Sequence, residues 1–509
     1  MTEGLEKATA TESKKRFKAI NRNQLMMRTV DVEKLVSEAD PVRAIWSMVC
    51  ELDWTRFEEE VKVVEGGKGR SNSDPRLLAA LWIYAYGEGV NSARELSRMC
   101  NYEPGCQWLT GMEEVSYHTL SDFRKKDKEA QDDLFKQVLG RLSADGFIEM
   151  KRVMQDGTKI RAAASSSSFR REETLREHLK LAEEQIRIMG SPDSEELSQR
   201  VLQARQRAAR EKKQQLELAL KELKKIEEDR RDSEKAARAS TSDPEARIMK
   251  QADGGFAPSY NVQICTEASN KFIVAVETTQ AGTDYDQLIP GLDAIHANTG
   301  QLPEQMVTDG GFIKNLNIEE AAKRGVDLIG PVAATNPDAS FKKRGIRPEF
   351  YPDKFRYDEQ TDTYTCPAEH TLSFQRSNRQ EGRIQHQYQA KPRDCQNCPF
   401  RDQCCPKTGS RMIIRTQDSE AVQAFRAKMQ TEDAKQIYRS RAEVAETPNA
   451  WIKEKFGLRR FRLRGLGKVR FEVGWACLTY NIMQWLRLSW KPQQAAAFGA
   501  AGGVCPGVL

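Results

Sequence analysis

The feature that most constrains the fold is an ordered series of strand and helix patterns in which two strands carry an aspartate. In residues 153–162, apolar and polar side chains alternate around Asp156, which is the period of a strand with one buried and one exposed face. Two long strand patterns between residues 260 and 278 predict a hairpin. A helix then leads to a short apolar strand that ends at Asp309, and a further helix and strand follow. The series predicts a mixed α/β sheet.

The Asp156-Gly157 pair has two interpretations. By itself, an Asp-Gly pair is more typical of a hairpin turn. The second aspartate, Asp309, favours a metal-binding site instead. The predicted order of three antiparallel strands followed by parallel strands matches the ribonuclease-H-like fold, and in that fold carboxylates from neighbouring strands meet. Lys159 and Arg161 follow on alternate positions, which suits a metal ion held beside a phosphate. We therefore expect a ribonuclease-H-like catalytic domain over residues 149–334 and 431–490.

Composition bounds the class of protein. The 509 residues include 80 basic and 74 acidic side chains, a net charge of +6, and a chain of this length can form several domains. The longest apolar run, Leu77–Tyr86, is about half as long as a membrane span, and the charged N-terminus has no signal-peptide core. Eleven cysteines, an odd number, are typical of a reducing compartment when several lie in apolar patterns. We expect a cytoplasmic protein without a membrane partner.

Residues 1–148 carry helical patterns. Asp74-Pro75 predicts a helix start, with the aspartate as N-cap and the proline in the first turn. Two further short helices are predicted after Ser92 and after Thr119. Three short helices with glycine-rich turns suit a helix-turn-helix unit that binds DNA, but they also suit a plain helical bundle.

Residues 169–238 are rich in Glu, Lys, Arg, Gln and Leu and carry two helical stripes of apolar residues. The segment Gly190–Asp193 separates the stripes, which predicts an antiparallel helical hairpin inserted in the catalytic domain. Its basic residues suggest DNA binding. Acidic residues balance them, however, so a solvated face or a dimer contact is the more conservative interpretation.

A cysteine-rich insertion is predicted over residues 335–430. A Cys-x-x-Cys pair together with further thiols can supply a tetrahedral zinc site, and zinc would organise a segment that is too polar to pack alone. Free thiols and a redox pair are the rival interpretations. The candidate zinc ligands are Cys366, Cys395, Cys398 and Cys404, with Cys405 as the alternate.

The last informative segment is a helix predicted from Tyr438 to Lys453. Glu446 and Lys453 are seven residues apart, hence two turns apart on one face, so one helix could present a tyrosine, an arginine, a carboxylate and a lysine together. A basic segment with interleaved phenylalanines follows and suits a phosphate-backbone track. The candidate phosphate-binding residues are Lys159, Arg161, Tyr438, Arg441, Lys453, Arg459, Arg460, Arg462 and Arg464. An apolar helix is predicted over residues 473–488, and residues 491–509 are expected to form a flexible tail.

Together these motifs resemble the DDE transposases of bacterial insertion sequences, and in particular the insertion-sequence-1182 group. The resemblance rests on Gln155–Lys159, on Thr308–Gly311 and on a Tyr-Arg-Glu-Lys signature in residues 438–453, and it covers residues 20 to 488. Further similar segments are Asp74–Leu78, Ser121–Arg124, Thr241–Arg247, Gly255-Phe256, Tyr260–Gln263, Thr279–Gly282 and Cys395–Cys398.

One departure from the wider signature affects the third carboxylate. Between Tyr438 and the glutamate there is one residue more than usual, and Ala445 occupies the strict position. Glu443 is therefore an alternative to Glu446, although the spacing to Lys453 favours Glu446.

The resemblance implies a chemistry. Asp156, Asp309 and Glu446 would hold two Mg²⁺ or Mn²⁺ ions, which stabilise the attacking and leaving oxygens of an in-line phosphodiester displacement. Arg441 and Lys453 would neutralise phosphates near the scissile bond. Tyr438 would position the backbone or a flipped base.

The implied function is a transposase that binds terminal inverted repeats, frees 3′-hydroxyls at the element ends and joins them to target DNA. Double-stranded DNA is the expected partner, and a homodimer is expected because two ends must be brought together. Two alternatives stay open. One is a catalytically inactive DNA-binding protein derived from a transposase, and the other is a ribonuclease-H-like nuclease that cleaves without strand transfer.

Overall fold

Helices form the N-terminal part of the computed structural model, which describes residues 22, 23, 25, 27, 29–59, 72–189, 199–229, 236–332, 337–380 and 383–490. The helix start predicted at Asp74-Pro75 is confirmed, because the Asp74 carboxylate accepts a hydrogen bond from the Arg76 backbone N–H at 2.8 Å. The helices are α1 (Pro41–Cys50), α2 (Thr55–Glu59), α3 (Pro75–Gly87), α4 (Ala93–Met99), α5 (Pro104–Thr110), α6 (Tyr117–Arg124) and α7 (Lys128–Ala144).

The central region alternates strands and helices. Its elements are β1 (Arg152–Arg161), β2 (Phe169–Arg170), α8 (Glu172–Met189), α9 (Gln199–Asp229), β3 (Ala239–Ser240), β4 (Arg247–Lys250), β5 (Phe256–Glu267), β6 (Ile273–Thr279), α10 (Leu288–Thr299), β7 (Gln305–Thr308), α11 (Asn315–Lys323) and β8 (Asp327–Ile329).

Most of these strands form one mixed sheet with β1 in its middle. β1 is antiparallel to β5 and parallel to β7, β6 is antiparallel to β5, and β8 is parallel to β7. The order is therefore β6-β5-β1-β7-β8, with β4 beside β5. This is the three-antiparallel-then-parallel arrangement that the sequence predicts. The hairpin-turn interpretation of Asp156-Gly157 is wrong, because both residues lie inside β1 and pair with Ile264 and Gln263.

A helical hairpin separates β1 from β5 along the chain. Helices α8 and α9 run antiparallel, since Lys213 pairs with Glu183 and Gln206 Nε2 donates to the carbonyl of Met189. Leu175 and Leu223 belong to a small apolar core between the two helices. The predicted break at Gly190–Asp193 lies outside the described residues.

The cysteine-rich segment forms a second sheet with the order β13-β12-β11-β10-β9. A separate apolar cluster that includes Phe350, Leu372 and Tyr388 supports it. Its elements are α12 (Pro337–Lys343), β9 (Arg356–Asp358), β10 (Thr363–Thr365), β11 (Thr371–Gln380), β12 (Arg383–Ala390), α13 (Pro392–Gln396), α14 (Arg401–Cys404) and β13 (Met412–Asp418).

The chain then returns to the central sheet through four helices. They are α15 (Glu420–Lys428), α16 (Glu432–Arg439), α17 (Arg441–Ala450) and α18 (Leu466–Trp485). The predicted apolar helix corresponds to α18, which begins seven residues earlier than residue 473. It is buried on almost every side, as expected of a helix that is apolar all round, and it packs on β6, α3 and α7.

The N-terminal helices and the sheet share one hydrophobic core. Trp82 of α3, Val153 of β1 and Trp475 of α18 belong to the same cluster of buried residues. Arg124 and Glu472 form a buried ion pair across this contact, with 3.8 Å between Nη2 and Oε1. The division of the chain at residue 148 stays a prediction, because no gap in packing marks it.

Among the residues that the structure describes, every helix is too short or too polar to cross a membrane.

Candidate active site

Asp156 and Asp309 meet at the centre of the mixed sheet. Gln155 of β1 is in register with Thr308 of β7, so the two aspartates occupy the next position along these parallel strands. The Gly311 backbone N–H donates to Asp309 Oδ1 at 2.8 Å and fixes that carboxylate. Strand pairing thus brings together two residues that are 153 positions apart.

Helix α17 covers Asp156 with one cation and one amide. Arg441 Nη1 lies 3.3 Å from Asp156 Oδ1, and Asn449 Nδ2 donates to Asp156 Oδ2 at 2.9 Å. Burial raises the pKa of Asp156; Arg441 acts in the opposite direction, whereas Asp309 and Asp284 raise the pKa further. The carboxylate therefore lies where an additional cation would be stabilised.

The prediction of one continuous helix from Tyr438 to Lys453 is wrong. Tyr438 belongs to α16, the chain bends at Ser440, and α17 ends before a π-helical turn over Trp451–Lys455. Tyr438 is partly buried against the hydrophobic core rather than placed on α17. The interruption lies between Tyr438 and Glu446, the interval that has one residue more than the wider signature.

Lys453 follows α17 and still faces Asp156. Burial lowers the pKa of its ammonium group, while the negative charge of Asp156 acts in the opposite direction. The structure thus brings Arg441 and Lys453 to the first aspartate, as their predicted phosphate-binding role requires.

The two candidate glutamates differ in their partners. Glu443 forms an ion pair with Lys271 at 2.7 Å, and this hydrogen bond lowers the pKa of Glu443. Glu446 is exposed and lies one helical turn before Asn449 and two turns before Lys453. No hydrogen bond or ion pair joins Glu446 to another described residue, so its carboxylate is free to turn. The choice of Glu446 stays a prediction.

A third aspartate, Asp284, lies beside the pair, and the sequence analysis missed it. Its Oδ1 accepts hydrogen bonds from Asn261 Nδ2 at 2.8 Å and from Gln263 Nε2 at 2.6 Å. Both amides are fully buried on β5. The available signal was this pair of amides on alternate positions of an otherwise apolar strand, since buried amides require partners. We call Asp156, Asp309 and Asp284 the acidic site.

A groove of about 650 Å³ adjoins the acidic site at Asp284, and six of its twelve lining residues are basic. We call it the basic groove. Lys250 lines it as well, although the sequence analysis did not single this residue out. The predicted phosphate-binding residues that line it are Lys159, Arg161, Lys453, Arg459 and Arg460.

Arg462 and Arg464 do not line this groove. Their guanidinium groups instead form hydrogen bonds within the protein. Arg462 Nε donates to Asn91 Oδ1 at 3.1 Å, and Arg464 Nε donates to the carbonyl of Ala163 at 3.2 Å. Both side chains retain exposed parts, so their contact with phosphates stays a prediction.

Five cysteines converge in the second sheet region. Cys366, Cys395, Cys398, Cys404 and Cys405 line a cavity of about 20 Å³. The backbone N–H of His370 donates to the sulfur of Cys366 at 3.3 Å, and that of Arg411 donates to the sulfur of Cys395 at 3.4 Å. We call these five residues the cysteine cluster.

A buried arginine adjoins the cysteine cluster. Arg411 is 6% exposed, and its guanidinium donates to the carbonyls of Cys404 and Phe350. Burial lowers the pKa of Arg411, while the neighbouring cysteines act in the opposite direction. Within the described part of the chain, no carboxylate pairs with this cation.

Neither region has a completed ligand geometry. Among the described residues, no group of three or more His, Cys, Asp and Glu side chains is arranged to hold a metal ion. Both regions bring candidate ligands close together.

Comparison with known proteins gives two family matches. Residues 365–486 match the family described as transposase DDE domain, and residues 30–126 match the family described as transposase domain (DUF772). The first match includes α17 and the cysteine cluster but excludes Asp156, Asp284 and Asp309.

No curated protein matches the chain. Among solved structures, the chain is similar to one titled as the cryo-EM structure of the piggyBac transposase synaptic complex with hairpin DNA. The identity is 10%, the TM-score is 0.31, and the match covers 89% of this chain and 76% of the other. A TM-score of this size supports no conclusion about shared structure.

Proposed function

We propose that the chain is a DDE transposase, which the two family matches support. In this proposal it binds the ends of an insertion sequence and catalyses DNA cleavage and strand transfer at the acidic site. One observation carries this proposal. Asp156 and Asp309, far apart in sequence, follow paired positions of two adjacent parallel strands, and Asp284 beside them lines the basic groove, through which a DNA backbone could approach.

The donor atoms of the site fit Mg²⁺ or Mn²⁺. Hard divalent cations prefer oxygen ligands, and Asp156 and Asp309 present carboxylates there. The buried Oδ1 of Asn449 accepts no hydrogen bond from a described residue, so one more oxygen is available beside Asp156. Glu446 would complete the ligand set when its exposed side chain turns toward Asp156. Two bound ions would stabilise the attacking and leaving oxygens of the phosphodiester.

The protein's own groups position the DNA. Arg441 and Lys453 flank Asp156 and would neutralise the phosphate at the scissile bond. Asn449 holds the Asp156 carboxylate in place through its Nδ2 donor. Lys159, Arg459 and Arg460 would contact phosphates further along the basic groove, where contacts carry affinity without sequence information.

The N-terminal helices and a second copy of the chain complete the proposal. The match to the transposase domain (DUF772) covers helices α1 to α6 and supports a role for them in recognising the terminal inverted repeats. Strand transfer requires two ends in one complex, so a homodimer is proposed for the active form.

Zinc is proposed for the cysteine cluster. Four thiolates around Zn²⁺ carry a net charge of about −2, and Arg411 would offset part of it. The buried guanidinium lies over the rings of Phe341 and Phe355 and forms no ion pair with a described carboxylate, so thiolates would stabilise it further. Cys366, Cys395, Cys398 and Cys404 are the proposed ligands. Cys405 stays the alternate to Cys404, since both thiols line the cavity.

A nicking assay tests the proposed function. The purified protein is incubated with Mg²⁺ and DNA that carries the sequences flanking the gene. The Asp156→Asn variant should bind this DNA largely as the unaltered protein does and should lose cleavage, because one charged metal ligand is removed. The control is Asp293→Asn, since Asp293 is an exposed carboxylate on α10 that pairs with Arg324.

The outcomes separate the alternatives. Undiminished cleavage by Asp156→Asn would overturn the site. DNA binding by the unaltered protein without any cleavage would favour an inactive DNA-binding protein. Cleavage without joining of the ends to a second DNA would favour a nuclease.

A further inference from the structure

Asp284 has the surroundings of a functional carboxylate. In the described chain, Asp253 pairs with Arg161 and Asp286 pairs with Lys314, whereas no lysine or arginine forms an ion pair with Asp284. Two neutral amides hold it instead, from Asn261 and Gln263. This arrangement orients the carboxylate without neutralising it.

A glycine in β1, Gly157, leaves the space that the Asp284 side chain occupies. A Cβ at position 157 would lie 2.3 Å from Asp284 Oδ1 and 2.7 Å from Gln263 Nε2. Gly157 is in ordinary extended backbone within β1, so its lack of a side chain is needed for space rather than for backbone conformation. Only glycine therefore allows the Asp284 carboxylate to lie against the residue that follows Asp156.

The second oxygen of Asp284 faces the other aspartate. A Cβ at position 311 would lie 3.7 Å from Asp284 Oδ2 and 3.0 Å from Asp309 Oδ1. Two carboxylate oxygens thus border the same glycine. Both amides donate to Asp284 Oδ1, and no described residue donates a hydrogen bond to Asp284 Oδ2. The Oδ2 atom is therefore available for a ligand.

A second observation points to a ligand at this position. Asn261 is fully buried, its Nδ2 holds Asp284, and its Oδ1 accepts no hydrogen bond from a described residue. A buried carbonyl oxygen without a donor is costly, and a cation or a water on that cation would satisfy it. The charge balance agrees, since three carboxylates face two cations, Arg441 and Lys453.

We propose that Asp284 is a further catalytic residue, a fourth carboxylate that binds a divalent cation together with Asp309 at the acidic site. This inference rests on the proposed function and deepens it. Asp284 also lines the basic groove, so the cation that it binds would lie where a DNA phosphate enters.

Binding of Mn²⁺ alone tests the inference without DNA. Mn²⁺ is titrated into the full chain and followed by electron paramagnetic resonance. Asp284→Asn keeps the shape of the side chain and removes its charge, and we expect Mn²⁺ affinity to fall by about 10- to 100-fold. Asp286→Asn is the control, because Asp286 is exposed and should leave Mn²⁺ affinity unchanged.

Cleavage gives the second readout. We expect Asp284→Asn to lower the rate of Mg²⁺-dependent cleavage by about 100-fold and to leave DNA binding intact. Gly157→Ala should lower Mn²⁺ affinity as well, since the added methyl displaces the Asp284 carboxylate. Circular dichroism of both variants checks that the sheet is retained.

The failures are distinguishable. If the unaltered chain cleaves, Asp156→Asn does not, and Asp284→Asn binds Mn²⁺ and cleaves normally, the role of Asp284 is wrong and the proposed function stands. If Asp156→Asn cleaves as well as the unaltered chain, the proposed function itself fails.

Discussion

The acidic site and the cysteine cluster are both candidate metal sites, but their charges are unbalanced in opposite directions. In the acidic site, three carboxylates lie near two cations, Arg441 and Lys453. Beside the cysteine cluster, the buried Arg411 has no carboxylate partner in the described chain. The first region therefore lacks positive charge, and the second lacks negative charge.

The difference indicates two kinds of metal binding. An excess of carboxylates at the end of an open groove favours a cation that can exchange and act on a substrate. Thiols in a small cavity supply negative charge when a metal deprotonates them. The cysteine cluster would then hold its metal permanently and stabilise the second sheet, whereas the acidic site would bind its ions for chemistry.

The largest expected effect is the loss of zinc when one residue of the cysteine cluster is replaced. Replacing Cys395 with Ser should remove zinc from the chain entirely, because a tetrahedral site with one thiolate missing loses most of its binding free energy, which is of order 10 kcal/mol for structural zinc. Metal content measured by mass spectrometry should fall from one zinc per chain to none. Limited proteolysis should then cut between residues 337 and 418.

Two further variants sharpen this result. Cys405→Ser should retain zinc and Cys404→Ser should lose it, if Cys404 is the fourth ligand. Arg411→Met should weaken zinc binding without abolishing it, because the variant removes the compensating charge and leaves all thiols. A chain purified without zinc, and unable to bind it, would contradict the comparison.

The next effect concerns the third carboxylate of the acidic site. Glu446→Gln should reduce Mg²⁺-dependent cleavage by more than about 100-fold, which exceeds the usual effect of a residue that only supports a metal ligand. Glu443→Gln is a matched control on the same helix and should lose only the exposed ion pair with Lys271, which is worth little. The reverse ranking of the two variants would assign the third carboxylate to Glu443.

The smallest effect concerns the basic groove. Lys250→Ala should weaken DNA binding equally for specific and unrelated sequences and reduce the slope of log affinity against log salt concentration by about one. Binding is measured by fluorescence anisotropy at several salt concentrations. Lys323→Ala is the control, since Lys323 is exposed on α11 and outside the groove. An unchanged slope for Lys250→Ala would place the DNA backbone elsewhere.

The sequence by itself determined the sheet order, the two strand-borne aspartates and the convergence of the cysteines. Strand periodicity is local, and it places Asp156 and Asp309 at strand positions that pairing must bring together. The transposase resemblance, which the two family matches confirm, came from short motifs. The particular insertion-sequence group stays a prediction.

Only the tertiary structure decided which side chains face the aspartates. Asp284 reaches the acidic site because Asn261 and Gln263 hold it and Gly157 leaves space, and each of these contacts joins separate elements of the sheet region. The interruption at Ser440 places Tyr438 on α16 rather than on α17, and no proline or glycine between Tyr438 and Glu446 signals it in the sequence. Local patterns fix elements and their faces, whereas the packing between elements fixes which faces meet.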